Sequence, residues 1–501
     1  MTTTLRRPVA ACVVCVLAVA ATVLCARPAL AADQWIQVQS AHFTITSNAG
    51  KSSTATLAWQ LEQVRSEAAV LWPWAKVDLN RPLVVFALKD EQSMKALAPQ
   101  YWENKNVGVA SLWVSGYNRT FLALRTDVEI DGQRHINPYA SSYFSYFSLI
   151  LQQSVPKRLP PWFSRGLAAV MSNTVIDDAK ILLGPPAPWY LQTLHDGGRS
   201  TLADLVKADT RSPLLKGDNQ RMFDAQAWAL VHYLMFADNG AHWASLNRYS
   251  GMVAGGADPD VAFREALGRP EDLEAPVRFY MDRSIYSFRA IGVDASVARE
   301  KFAVTVLSPA ESAGRRAMFH VTMHRPVEAR AAIAETRKAG GSPDADVAEG
   351  LLLDSEHKDD EARAALTRAT DAGTTDAYAY YRLASLLWRA DADHATLERL
   401  QTLLSKSVDL NVRYAAAYDF LASINGQLGV AGASGLALRA ISLEPDDAHH
   451  HLTAARLLAR EKRYDEALTH VQAAQDLAED EAVTREVAEA RTWIAQMKSR
   501  G

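Results

Sequence analysis

The chain has 501 residues, of which 53 are Lys or Arg and 57 are Asp or Glu, so its formal net charge is −4. A mildly acidic chain without a Lys- or Arg-rich block argues against a nucleic-acid partner. The length exceeds what one hydrophobic core normally supports, so we expect at least two domains.

The segment 1–31 has the pattern of a secretory signal peptide. Arg6 and Arg7 precede an apolar run at 9–24, and positions 29–31 offer the small-residue pattern A-L-A of a cleavage site. The apolar run is shorter than the about 20 residues that a bilayer span needs. We therefore expect an exported protein, periplasmic or secreted, without a stable membrane anchor after cleavage.

The cysteines support the same assignment. All three, Cys12, Cys15 and Cys25, lie in the predicted signal peptide. After cleavage the chain would have no disulfide, no thiolate metal ligand and no cysteine nucleophile. Its stability in an oxidising compartment must then come from packing.

From about position 35 to position 289, strand-like patterns come first and helix-like patterns follow. Segments 35–39 and 42–46 alternate apolar and polar residues, as half-buried strands do. Segment 82–88 is a continuous apolar run suited to a buried strand, and 109–114 with 120–126 predict a hairpin. Apolar periodicity then predicts helices at 54–72, 139–153, 163–173, 223–236 and 259–267. Strands followed by helices predict an α+β domain.

Beyond position 308 the pattern is helical throughout and rich in Ala and Leu. Small residues recur with a period near 34, as at Ala329 and Ala362 and again at Ala433 and Ala467. This pattern resembles the tetratricopeptide repeat, in which small residues let the two helices of a unit cross closely. We expect about five units in 308–501, the third loosened near 391–393. Such an all-α solenoid has a concave face that binds protein or peptide partners.

A second resemblance lies in segment 143–168, which reads YFSYFSLILQQSVPKRLPPWFSRGLA. It resembles the peptidase MA-like domain of gluzincin metallopeptidases, in which a helix carries H-E-x-x-H and a basic, proline-containing linker leads to P-x-W-x-x-E-G-x-A. Segment 160–168 reproduces the second block, and segment 144–148 falls on the H-E-x-x-H positions. The likeness covers most of 33–290. It implies a gluzincin-like α+β domain at 32–290, joined to the repeats by a linker at 291–307.

The resemblance also implies that the metal site has been lost, because Phe144, Ser145, Ser148 and Arg165 occupy the ligand and base positions. A catalytic zinc needs three protein ligands and a position for water, and a nearby glutamate takes the proton from that water. Phenylalanine cannot ligate, serine hydroxyls are poor zinc ligands, and an arginine cation repels the metal. We therefore expect no metal, no cofactor and no catalytic residue at this site.

Three residues are expected to line a cleft that remains at the degenerate site: His135, Tyr146 and Trp162. Arg165 would place a cation there and favour a carboxylate ligand. His232, within an apolar helix, is expected to be a core histidine with satisfied hydrogen bonds.

The other histidines of interest lie in the repeats. His320 and His324 have i, i+4 spacing but no glutamate between them, and we expect both at the surface. The run His449-His450-His451 begins a repeat helix, where adventitious metal binding is an open alternative.

The sequence thus predicts an exported, non-catalytic pseudopeptidase that binds a peptide or protein through its cleft and its repeats. Two alternatives stay open. One is an active hydrolase with unconventional residues, such as His135 with carboxylates. The other is a purely structural assembly factor whose first domain caps the solenoid.

Overall fold

The computed structural model describes residues 33–102, 109–116, 118–129, 134–155, 159–478 and 480–500. The predicted signal peptide lies outside these residues, as does part of the basic linker at 156–158. Within the described ranges, no helix combines the length and apolarity that a bilayer crossing requires.

The described residues contain nine strands in two sheets. The large sheet has the order β4-β5-β3-β2-β1-β9, and β6-β7-β8 form a small antiparallel sheet. In the large sheet β2, β3 and β5 run parallel to one another, whereas β1, β4 and β9 pair antiparallel to their neighbours. The strands are β1 Ile36–Gln39, β2 Thr44–Ser47, β3 Leu83–Leu88, β4 Ser111–Ser115, β5 Thr120–Arg125, β6 Val175–Ile176, β7 Lys180–Leu183, β8 Arg289–Gly292 and β9 Ala303–Val306.

The first half of the described chain has ten α-helices, and the second half is helical except for short turns. The helices of the first half are α1 Lys51–Leu71, α2 Glu91–Leu97, α3 Ala140–Ser154, α4 Pro161–Ser172, α5 Pro188–His195, α6 Leu202–Lys207, α7 Asn219–Phe236, α8 Trp243–Ala254, α9 Pro259–Leu267 and α10 Pro270–Met281. The five predicted helices and five predicted strands are confirmed, with boundaries shifted by a few positions.

The second half forms an all-α solenoid of five helical hairpins and a closing helix. Its helices are α11 Pro309–Thr322, α12 Pro326–Lys338, α13 Pro343–Ser355, α14 Asp359–Asp371, α15 Ala377–Leu387, α16 His394–Leu410, α17 Ala415–Gln427, α18 Ala433–Leu443, α19 Ala448–Arg460, α20 Tyr464–Leu477 and α21 Glu481–Arg500. Each helix packs mainly on its neighbours in sequence. The helices cross at small residues: Ala329, Ala362 and Ala467 are fully buried, and a Cβ on Gly350 would meet the Leu366 side chain at 2.6 Å.

The central strands β3 and β5 of the large sheet are buried on both faces, and alternate residues of each strand point to opposite sides. Val85 and Ala87 of β3 belong to the core formed with α1, α3, α4 and α7. Phe86 and Leu88 face the other way and share a second core with the first repeat helices. Burial of both faces of β3 therefore explains why the run at 82–88 is apolar without interruption.

The segment expected to be a linker, 291–307, is in fact structured. It contains the end of β8 and all of β9, which pairs antiparallel with β1 and extends the large sheet. Among the described residues β1 is the first strand and β9 the last, so no local sequence pattern indicates that the two pair. The two halves of the chain are thus joined by a strand and by a shared core.

Candidate functional site

The positions that the peptidase resemblance assigns to a metal site lie on two helices that pack against each other. Phe144, Ser145 and Ser148 are on α3, and Arg165 is on α4. The Arg165 guanidinium carbon lies 5.7 Å from the centre of the Phe144 ring. The structure therefore brings Phe144 and Arg165 into contact.

The Arg165 cation, which was expected to favour a bound carboxylate, already has a carboxylate partner within this chain. Its guanidinium makes a bidentate contact with the Asp224 carboxylate on α7, with Nη2 to Oδ2 at 2.7 Å. The hydrogen bond to Asp224 raises the pKa of Arg165 above its usual value, so the side chain stays charged and paired.

The two serines have ordinary surroundings. The Ser145 hydroxyl donates to the Ser141 carbonyl at 3.1 Å, a bond within its own helix. Ser148 is half-buried. Within the described residues, one place has three metal-ligating side chains close enough together to hold a single ion. That place lies in the repeats and not beside α3.

Two residues expected to line the cleft are core residues instead. Trp162 is 1 % exposed and packs on Tyr249 and Phe263, and Tyr146 is also buried, against Phe43. Both point inward because they lie on the apolar faces by which α3 and α4 pack on the domain core. His135 is half-buried; its ring contacts Phe288, and its carbonyl accepts a hydrogen bond from Asn173.

The prediction for His232 is confirmed, because the ring is fully buried and both nitrogens have partners. Nδ1 lies 2.7 Å from the Tyr280 hydroxyl and Nε2 lies 2.7 Å from the Gly184 carbonyl. The carbonyl can only accept, so Nε2 carries the proton and Nδ1 accepts from tyrosine. Burial lowers the pKa of His232 to about 4.

Protonation of His232 is therefore expected to destabilise the fold in acid. The folded pKa lies below the unfolded value of 6.5, so the stabilisation is complete above pH 6.5 and is lost as the pH falls towards 4. Between pH 7 and pH 5 this loss is about 2 kcal/mol. Urea unfolding should show that His232→Gln removes this part of the pH dependence, while His195→Gln at an exposed position leaves it unchanged. Equal pH dependence in all three proteins would contradict the assignment.

The prediction that His320 and His324 both lie at the surface is wrong for His320. His320 is 8 % exposed, and its ring contacts Phe319, because this side of α11 turns towards the next repeat helices. Burial lowers the pKa of His320 to about 4. His324 is outside the core and follows the helix with a positive φ of 53°.

A cavity lies between the large sheet and the repeats. We call it the sheet–array cleft. Its volume is about 680 Å³, within the range of ligand sites. One wall is formed by Gln37, Gln39, Thr44 and Thr46 of β1 and β2, and the other by the first helices of successive hairpins, with residues such as Arg315, Asp344, Tyr378, Tyr414 and His450.

The strand pattern explains why a cleft forms here. In β1, Ile36 and Val38 are buried in the core, while Gln37 and Gln39 face the array. In β3 and β5 the array-facing residues are apolar and are covered by α11 and α12. The sheet face therefore changes from apolar to polar, and the polar half is left uncovered.

Hydrogen bonds between the two halves of the chain hold the cleft walls in place. Arg315 of α11 donates to the Thr46 hydroxyl at 2.7 Å and to the Gln37 side chain. At the other end, Asn411 donates to the Asn80 carbonyl at 3.2 Å, and Asn80 donates to the Leu443 carbonyl at 3.3 Å. The walls are thus fixed by several separate repeats.

The cleft contains donors that the described residues leave unsatisfied. Arg119 forms an ion pair with Asp376, and both side chains are largely buried. Its Nε atom is buried without a hydrogen-bond partner, as is the side-chain nitrogen of the neighbouring Asn118. A buried donor without an acceptor costs about 1–3 kcal/mol. Both nitrogens have almost no accessible surface, so a ligand in the cleft reaches them only if the side chains move.

His450 lies at the other end of the cleft, among three carboxylates. Its Nδ1 is 3.4 Å from Asp419, and its Nε2 is 3.9 Å from both Glu444 and Asp447. Burial by itself would lower the pKa of His450, but these carboxylates raise it to about 10. Sequence reasoning noted the histidine run but not its acids, of which Glu444 and Asp447 precede it in the same turn and Asp419 comes from α17.

No family model matches this chain, and no curated protein matches it. Among solved structures, the chain is similar to YrrB, described as a TPR protein with an unusual peptide-binding site. The two sequences are 17% identical, the match covers 36% of this chain and 92% of that one, and the TM-score is 0.31. It is also similar to MamA, at 21% sequence identity and a TM-score of 0.27; the match covers 32% of this chain and 91% of that one. A third similar structure is TTC0263, a thermophilic TPR protein of Thermus thermophilus, at 19% sequence identity and a TM-score of 0.27. The match covers 36% of this chain and 99% of that one.

Proposed function

We propose that this chain is an exported, non-catalytic binding protein that holds an extended peptide segment of a partner protein in the sheet–array cleft. The observation that carries the proposal is the cleft itself, in which a polar sheet face lies opposite the first helices of successive repeats. Surfaces formed by stacked helical repeats are extended and suit peptide segments. Export rests on the sequence of segment 1–31.

The chemistry of the cleft favours a peptide. Polar side chains of the sheet wall, such as Gln37, Gln39 and Thr44, can form hydrogen bonds with the backbone of a peptide. Tyr378 and Tyr414 offer aromatic surface in the same wall, with ring centres 6.4 Å apart. Tyrosine is enriched among the residues that dominate binding energy at protein interfaces.

The first domain is proposed to be a peptidase MA-like scaffold that has lost its metal site. Its support is the block at 160–168 together with the contact between Phe144 and Arg165. Hydrolysis by this site has no support, because the guanidinium of Arg165 pairs with Asp224 where a ligand is needed.

A purely structural role is the second candidate, and one observation favours it. Phe86 and Phe121 of the sheet share a core with Phe319 of the first repeat helix, so the first domain covers the start of the solenoid. A cap of this kind requires no ligand in the cleft. The two candidate functions therefore predict different effects of a cleft-wall substitution on peptide affinity.

The test is a peptide-display selection on the full chain, followed by titration of selected peptides against two variants. Tyr378→Ala removes a cleft side chain and is expected to weaken binding at least about tenfold, as interface aromatics do. Tyr418→Ala is the matched control, because this half-buried tyrosine lies on α17 and does not line the cleft. Circular dichroism verifies that both variants fold. No selectable peptide, or equal affinity of both variants and the parent, would favour the structural role.

A further inference from the structure

The turn between α18 and α19 brings together three side chains that can ligate a metal. Glu444 directly follows α18, Asp447 caps the start of α19, and His450 lies in its first turn. One Asp447 oxygen accepts from the His449 backbone N–H at 2.8 Å, which leaves the second oxygen facing His450. One potential ligand atom from each residue lies within 4.8 Å of the others.

The histidine of this group is buried and lacks hydrogen bonds. His450 is 4 % exposed, and neither ring nitrogen has a hydrogen-bond partner among the described residues. The ring nitrogens face carboxylates at distances beyond a normal hydrogen bond, so the group is held by charge, and a metal ion bound at Nε2 would replace the ring proton there. Its Nε2 faces Glu444 and Asp447 across gaps of 3.9 Å, which are too long for hydrogen bonds.

The opposite side of the ring has the surroundings of a metal-binding histidine. Asp419 of α17 places a buried oxygen, also without a hydrogen bond, 3.4 Å from Nδ1. Metal-ligating histidines usually present their second nitrogen to a carboxylate, which fixes the tautomer and the ring orientation. Asp419 can serve in this way when Nε2 is the ligand atom.

We infer that Glu444, Asp447 and His450 bind one divalent transition-metal ion, with Zn²⁺ the best fit to the donors. One imidazole nitrogen and two carboxylate oxygens are accepted zinc ligands, and tetrahedral bonds of about 2.1 Å place ligand atoms roughly 3.4 Å apart. The separations of 3.9 Å are close to this spacing. The two carboxylates balance the charge of the ion and outweigh the positive end of α19, about half a charge.

The neighbouring histidines are not equivalent. His451 has both nitrogens in use, with Nδ1 3.0 Å from His470 and Nε2 3.1 Å from the Pro445 carbonyl, and His449 is exposed. The histidine run noted in the sequence therefore contains one candidate ligand, His450, and both acidic partners precede it in the same turn. All three ligands line the sheet–array cleft. The inference rests on ligand geometry and does not require that a peptide binds.

Zinc titration of the full chain, stripped of metal by a chelator, tests the inference by calorimetry and by metal analysis after dialysis. We expect one Zn²⁺ per chain and a rise in melting temperature with zinc. Asp447→Asn keeps a good helix cap and removes one ligand charge, so it should fold and lose at least tenfold in zinc affinity. Asp419→Asn should weaken binding by about 10–100-fold. His450→Ala should abolish it, while His449→Ala and His470→Ala leave it unchanged.

Two results would overturn the site. One is the absence of saturable zinc binding, which would identify the group as a buried cluster of ion pairs. The other is binding that His470→Ala removes and Asp447→Asn leaves intact, which would place the ion adventitiously at the His451–His470 pair. Both results leave the peptide titrations with Tyr378→Ala unaffected, so the two proposals fail separately.

Discussion

Phe319→Ala is expected to lower the free energy of unfolding by about 4 kcal/mol, because it removes the centre of the core that joins the sheet to the repeats. Phe319 on α11 is fully buried. Its ring packs edge-to-face on Phe86 at 5.9 Å and on Phe121 at 5.4 Å, measured between ring centres. Truncation leaves a cavity between two rigid layers, which cannot collapse easily. Chemical denaturation followed by tryptophan fluorescence measures the loss.

The control for this change is Phe279→Ala on α10. That ring is 68 % exposed, so its removal should cost less than about 1 kcal/mol. If the two variants lost similar stability, the sheet and the array would not share a core. The same contact explains why the segment 308–501 alone is a poor test of partner binding, since it would expose Phe319.

Gly166→Ala is expected to cost about 3 kcal/mol, because α4 and α7 approach each other too closely for a side chain there. A Cβ at Gly166 would lie 2.4 Å from the Ala227 carbonyl oxygen and 2.7 Å from a Val231 methyl. The first contact is with backbone, so a rotamer change cannot relieve it. Thermal and urea unfolding would both show the loss.

Gly251→Ala gives the opposite sign and is the matched control. Gly251 is also inside a helix, α8, but nothing lies within 4 Å of its Cβ position. Alanine there should raise stability by about 0.5–1 kcal/mol through helix propensity. A neutral Gly166→Ala variant would mean that α4 and α7 are farther apart than described.

Local patterns predicted the elements, because strand and helix periodicities depend on neighbouring residues. The run at 82–88 even indicated a buried strand, but it carried no information about what covers its two faces. Part of the cover is α11, which belongs to the other half of the chain. Likewise β9 pairs with β1 from the opposite end of the first domain, so its segment was expected to be a linker.

The candidate sites show the same limit. The resemblance directed attention to Phe144 and Arg165, which lie in contact, but the Asp224 partner of Arg165 is distant in sequence, on α7. Trp162 was assigned to a cleft from its place in the motif, although its helix turns it into the core. The sheet–array cleft draws its walls from positions 37 to 450, so tertiary packing alone creates it.

Hydrogen–deuterium exchange of the full chain, with and without a selected peptide, tests the central claim most directly. Peptide binding in the sheet–array cleft predicts slower exchange in β1 and β2 and at the starts of α15 and α17, whose residues line it. Helices α3 and α4, which carry the degenerate metal-site positions, should exchange unchanged. Protection confined to α3 and α4, or to helices that do not line the cleft, would contradict the account.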